Sequence, residues 1–136
     1  MSIIEKTREL GKLIQEDSRY IEFYDAARAN DNDPELQKLI GEFNLKRMNL
    51  NQEMQKENKD GEVMTALDDE IREIYQQIMA NKCMARYNDA KEALDSLLKS
   101  VNYIISASAN GQDPFEVPEQ PPQSCSGSCA SCGGCG

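Results

Sequence analysis

Between residues 34 and 58 the apolar side chains return at alternating steps of four and three residues. They are Leu36, Ile40, Phe43, Leu50 and Met54, with Arg47 as the one charged interruption. A stripe of this period lies on one face of an α-helix and matches the seam of a coiled coil, so a second helix must cover it. The next segment supplies that helix. Met64, Leu67, Ile71, Ile74 and Ile78 repeat the pattern, and Lys59-Asp60-Gly61 between the stripes is a helix stop and turn. So short a connection makes neighbouring helices run antiparallel, which predicts a long helical hairpin.

The flanking segments also read as helix. Ser2 followed by Glu5 is a capping-box signature, and Ile3, Ile4, Leu10, Leu13 and Ile14 form the apolar face behind it. Asp17 or Ser18 caps a short second helix carrying Ile21, Phe23, Tyr24 and Ala27, which ends in Asn30-Asp31-Asn32. Asp33-Pro34 is an acidic N-cap with Pro at the first helical position, where its missing N–H costs nothing. It starts a third helix that runs to about Asn58. The fourth ends near Asn81. The fifth carries Met84, Tyr87, Leu94, Leu98, Val101 and Ile105, flanked by Ala90, Leu97 and Ile104, and is closed by Asn110-Gly111. The expected fold is all-α: an antiparallel helical bundle with a long helical hairpin over residues 1–111. Its core must be mainly Leu, Ile, Met and Tyr, because the chain has no Trp and only 3 Phe. Gly11 and Gly41 sit alone inside helical patterns, where close helix packing is the expected reason for them.

Composition changes abruptly after Gly111. Residues 112–124 hold Pro114, Pro118, Pro121 and Pro122 with three acids and no Lys or Arg, which reads as a stiff, extended, disordered linker. Residues 125–136 are only Cys, Ser, Gly and Ala, a composition that needs a ligand to order it. Here Cys125, Cys129, Cys132 and Cys135 make a nested thiol cluster. Soft thiolates suit zinc or an iron–sulfur cluster. Structural zinc sites usually join two Cys pairs across a longer spacer, whereas tightly nested triplets suit the wrapping of a cubane cluster. Iron–sulfur is the favoured cofactor and zinc the alternative, with a partner or second copy able to complete the ligand set. Cys83, far from the tail, reads as a small core hydrophobe.

Charge and missing residue types narrow the function. With 24 acidic and 15 basic residues the formal charge is −9, and no basic block overcomes the resulting repulsion of phosphate backbones. The chain has no His, which removes the usual general base and the Ser-His-Asp triad, and it has no P-loop or dinucleotide-binding glycine pattern. Asp68-Asp69-Glu70 are consecutive and point in different directions on a helix, so they read as a solvated face. Met48, Met54 and Met64 cluster toward the hairpin tip, where Met serves either the seam or a partner. No leader pattern or membrane-length apolar run occurs, so the expected location is the cytoplasm, where thiols stay reduced. A non-enzymatic, protein-binding chain is the expectation. A metal-handling or redox protein with the bundle as a handle is the alternative.

Leu10-Gly11 with Ile14 and Ser18, then Tyr20, Tyr24 and Ala27, then Leu39, Ile40 and Phe43, open a pattern of packing positions. Asn81, Tyr87, Ala90, Leu94, Leu97, Leu98, Val101, Asn102, Ile104 and Ile105 complete it. Over roughly residues 3–110 it resembles the YlbF/YmcA family of bacterial regulators. The resemblance implies a helical adaptor that forms heteromeric complexes with YmcA-like and YaaT-like proteins. It further implies action on mRNA processing through ribonuclease Y, an effect on competence, sporulation and biofilm formation, and association with iron–sulfur clusters.

Overall fold

The computed structural model describes residues 1–122, so the four tail cysteines lie outside the described residues. Five helices follow one another: α1 (Ile3–Glu16), α2 (Ser18–Asp31), α3 (Pro34–Gln55), α4 (Gly61–Ala80) and α5 (Lys82–Ala109). Among the described residues there is no strand. The chain divides into two units, Met1–Leu94 and the remainder from Asp95, with the boundary inside α5.

In the first unit, local chemistry sets each helix start. Ser2 Oγ accepts the Glu5 N–H at 3.2 Å, and the Ser2 N–H donates to Glu5 Oε2 at 2.7 Å, closing the capping box. Asp17 is the single residue between α1 and α2; it leaves helical backbone at ψ 142° and caps α2 by accepting the Arg19 N–H. Asp33 and Asp60 cap α3 and α4 in the same manner. α3 and α4 pack as the expected antiparallel hairpin. Cross-helix pairs fix the register: Asp33 with Asn81 at 3.2 Å, Phe43 with Tyr75 at 6.2 Å between ring centroids, and Lys46 with Glu70 at 2.7 Å. The first number rises as the second falls, as antiparallel pairing requires. Leu36 is fully buried and Ile78 nearly so, at the base of this seam. Arg47, the charged interruption, is exposed, and its guanidinium lies 5.6 Å from the centroid of the Phe43 ring one turn back on the same helix, a cation–π contact that leaves the charge in solvent.

The hairpin turn comes earlier than the apolar pattern suggests. α3 stops at Gln55, and Lys56 is already extended at ψ 146°. The cause is Glu53, whose carboxylate accepts Lys56 Nζ at 2.7 Å and the Asp60 N–H at 3.1 Å, fastening both sides of the turn. The two glycines also differ from expectation. A Cβ built at Gly11 or Gly41 meets nothing within 4 Å, so neither is held by close packing within the chain.

In the second unit, α5 ends in a Schellman motif: the Gln112 N–H reaches the Ala107 carbonyl at 3.1 Å and the Gly111 N–H that of Ser108 at 3.0 Å. Gly111 supplies the required positive φ of 92°. The segment after it is less extended than its prolines imply. Asp113 Oδ1 accepts the Phe115 N–H at 2.9 Å, and the Asp113 carbonyl accepts those of Glu116 and Val117, forming a compact turn. Asp directly before Pro favours such a turn because its side chain bonds the backbone two residues on.

Candidate functional site

Three helix ends meet where α3 begins and α4 passes into α5. Asn81 is the only residue between α4 and α5, and its Oδ1 accepts the N–H groups of Cys83 at 2.9 Å and Met84 at 3.2 Å. Its Nδ2 donates to Asp33 Oδ2, while Asp33 Oδ1 caps α3 through Glu35 and Leu36. The Cys83 thiol lies close enough to Asp33 to feel its charge. The Leu36 N–H first, then the Asn81 amide, hold the Asp33 carboxyl below its ordinary range. That same carboxylate pushes the Cys83 thiol up, with burial adding to it. Cys83 is half-buried, not a core residue, and its environment keeps it protonated and a poor nucleophile. Beside it, buried Asn30 donates to the Met84 sulfur at 3.8 Å and accepts the Gln37 amide through its carbonyl at 2.9 Å. This joint is a structural clamp. Among the described residues no group of three or more His, Cys, Asp or Glu is placed to hold a metal.

α2 meets the first turns of α5 through the Phe23 and Tyr87 rings, 5.3 Å apart, and through a two-pronged Arg86–Glu22 ion pair at 2.6 and 3.1 Å. This pairing lowers the Glu22 pKa and raises that of Arg86. None of these contacts was legible as a pair in the sequence, although Tyr87 carried part of the apolar pattern.

What the first unit leaves uncovered is apolar helix surface. On α1 no residue is buried, and Ile3, Ile4 and Leu13 are exposed. On the hairpin, Leu45, Met48, Met54, Tyr75 and Met79 are exposed, while Met64 is half-buried in the seam. Of the three methionines near the tip, Met64 therefore serves the hairpin and Met48 faces outward. Asp68, Asp69 and Glu70 do not converge: Asp68 pairs with Arg72 at 3.0 Å and Glu70 with Lys46, while Asp69 is exposed. No described helix is long and apolar enough to cross a membrane.

Cys125, Cys129, Cys132 and Cys135, the predicted ligand set, lie outside the described residues. No curated protein and no solved structure matches this chain. The match comes from the family model for the control of competence regulator ComK, YlbF/YmcA, which covers residues 3–109, the whole of the five-helix region. With that share of its length matched, the chain belongs to the YlbF/YmcA family of competence-related regulators.

Proposed function

We propose that this chain is a non-enzymatic regulatory adaptor that works in the cytoplasm by joining partner subunits through its helices. The observation that carries this is the family match over residues 3–109. The exposed Leu45, Met48, Ile3 and Leu13 support it, because covering apolar surface of this kind favours association with another protein. In this reading the partners are YmcA-like and YaaT-like proteins. The assembly modulates mRNA processing by ribonuclease Y and, through it, competence, sporulation and biofilm formation. The acidic chain approaches RNA only through those proteins.

The tail adds a cofactor to the proposal. Four thiols separated by Ser, Gly and Ala are a soft, sterically open donor set, and the described residues hold no competing cluster. Cys125, Cys129, Cys132 and Cys135 would hold an iron–sulfur cluster, shared with a partner where one thiol falls short. When bound, the cluster supplies a redox- and oxygen-sensitive element, and its loss would unfasten whatever the tail is docked to.

The test is anaerobic purification of the full chain with its partners, followed by iron and acid-labile sulfide analysis. Brown protein that bleaches in a Cys129→Ser, Cys132→Ser variant, with unchanged helicity, is the expected result. Stoichiometric zinc without sulfide would replace the cluster by a structural zinc site. A chain lacking residues 123–136 should still retain partners. If it loses every partner, the tail is the active part and the bundle a handle.

A further inference from the structure

The chain has three Phe, and two of them, Phe23 and Phe43, are half-buried in helix contacts. Phe115 is 96% exposed, more than any other large apolar side chain among the described residues. A lone exposed apolar side chain is ordinary on a protein surface. This one differs because the backbone that carries it is fixed. Asp113 Oδ1 accepts the Phe115 N–H at 2.9 Å, and the Asp113 carbonyl accepts the N–H groups of Glu116 at 3.0 Å and Val117 at 3.2 Å. Pro114, between the two, has its φ locked by its ring. Within the same turn Val117 is half-buried, so the smaller apolar side chain is partly covered and the larger one is held out. A ring on a loose tether pays ordering entropy when it is bound, whereas a ring on a hydrogen-bonded turn has already lost most of that freedom.

The charge around the ring selects what covers it. Asp113, Glu116 and Glu119 flank it, and no Lys or Arg follows Lys99 anywhere in the sequence. A second copy of the turn would bring the same acids against these, and an anionic surface would be repelled in the same way. A protein pocket that takes the ring has to be apolar inside, and Lys or Arg at its mouth gains from the flanking carboxylates. An Arg there also lies well over the ring face. An aromatic side chain in a desolvated pocket, with charged groups kept to the rim, is the arrangement that lets a small contact carry much of an interface's affinity.

We propose that the turn over residues 113–117 is a docking element: Phe115 enters an apolar pocket of a partner protein, and Asp113, Glu116 and Glu119 meet Lys or Arg side chains around its mouth. This rests on the adaptor reading and gives the chemistry of one contact that the adaptor makes.

The test titrates the full-length chain with each purified partner subunit of the adaptor assembly, the YmcA-like and the YaaT-like protein, by calorimetry. Phe115→Ala should weaken binding about thirtyfold, as for the anchor of an interface, with unchanged circular dichroism because the ring is almost wholly exposed. Asp113→Ala should weaken it less, through a loosened turn. Asp113→Asn, whose side-chain oxygen still accepts the Phe115 N–H, should lie closer to the wild type. Glu116→Lys with Glu119→Lys should also weaken binding, whereas tighter binding would mean an acidic pocket mouth and overturn the proposal. The chain has no Trp, so in a Phe115→Trp chain the indole reports this position alone once the partner's own emission is subtracted. Its emission should shift to the blue when the partner is added. An indole already shielded in the isolated chain, or shielded by phosphatidylcholine vesicles and not by a partner, would overturn the proposal. Binding that Phe115→Ala leaves unchanged would overturn it and leave the adaptor reading standing. A wild type that binds neither subunit would overturn both.

Discussion

At the residue scale, Asp33 joins three pieces of the clamp, capping α3, accepting from the Asn81 amide and facing the Cys83 thiol. Its lowered pKa and the raised pKa of Cys83 act at opposite ends of the pH range. A carboxyl held below its ordinary value stabilises the fold above that value, and the contribution is lost as pH falls through the lowered one. A thiol held above its ordinary value stabilises the fold below that value, and the contribution is lost as pH rises through the raised one. Glu22 and Glu53 add to the acid-side loss, and Asp17, held to about 2 first by its Arg19 hydrogen bonds, gives way last. Stability should therefore be flat through neutrality and fall on both sides. At neutral pH Cys83 should alkylate more slowly than it does in the urea-unfolded chain, and Asp33→Asn should speed the reaction. A pulse of iodoacetamide read site by site by mass spectrometry measures this. Equal rates in folded and unfolded protein would remove the clamp. Leu36 is a simpler case: it is fully buried, so Leu36→Ala should cost about 2–5 kcal/mol in urea unfolding.

At the element scale, the hairpin tip is held by a side chain rather than by turn residues. Glu53 is buried, and its carboxylate reaches both Lys56 and Asp60. Lys56 first, then the Asp60 N–H, holds its pKa down, so this fastening persists at neutral pH and is lost as acid protonates it through the lowered value. Glu53→Ala should raise amide exchange of residues 56–60 while leaving the seam near Leu36 protected. Exchange that rises equally along α3 and α4 would mean the tip and the seam open together. The starts of α1, α2 and α3 were legible in the sequence because each rests on a local signal: Ser2 with Glu5, Asp17 or Ser18, Asp33 with Pro34. Asp60 was read only as part of a turn, although it caps α4. The end of α3 was not legible, since Glu53 acts across the turn and its role depends on a partner seven residues away. Asn81 was legible only as a stop. Its second role, capping α5, depends on a single-residue joint that apolar periodicity does not register. Gly11 and Gly41 were misread because a glycine carries no side chain to show which face of a helix it lies on, and a Cβ at either meets nothing within 4 Å.

At the scale of the whole molecule, the described residues bury few large side chains. The buried apolar residues are Ala26, Leu36, Ile78, Ala90 and Ala107, of which only two exceed the size of alanine. Half-buried positions such as Phe23, Phe43, Leu50 and Ile71 carry most of the remaining apolar contact. A domain retains only about 5–15 kcal/mol of net stability, so one with so thin an interior depends measurably on whatever covers its exposed face. Anything that binds the folded chain and not the unfolded one stabilises it by mass action. A partner held in excess at a hundredfold its dissociation constant adds about 2.7 kcal/mol, which raises Tm by several degrees in a chain of this length. The expected outcome is a chain whose Tm climbs as partner subunits are titrated in. A Leu45→Lys, Met48→Lys chain should keep the Tm of the isolated wild type, because both side chains are more than half exposed and contribute little to its own core. A wild-type Tm that no partner subunit moves would mean that the thin interior suffices by itself and that the folded chain binds none of them.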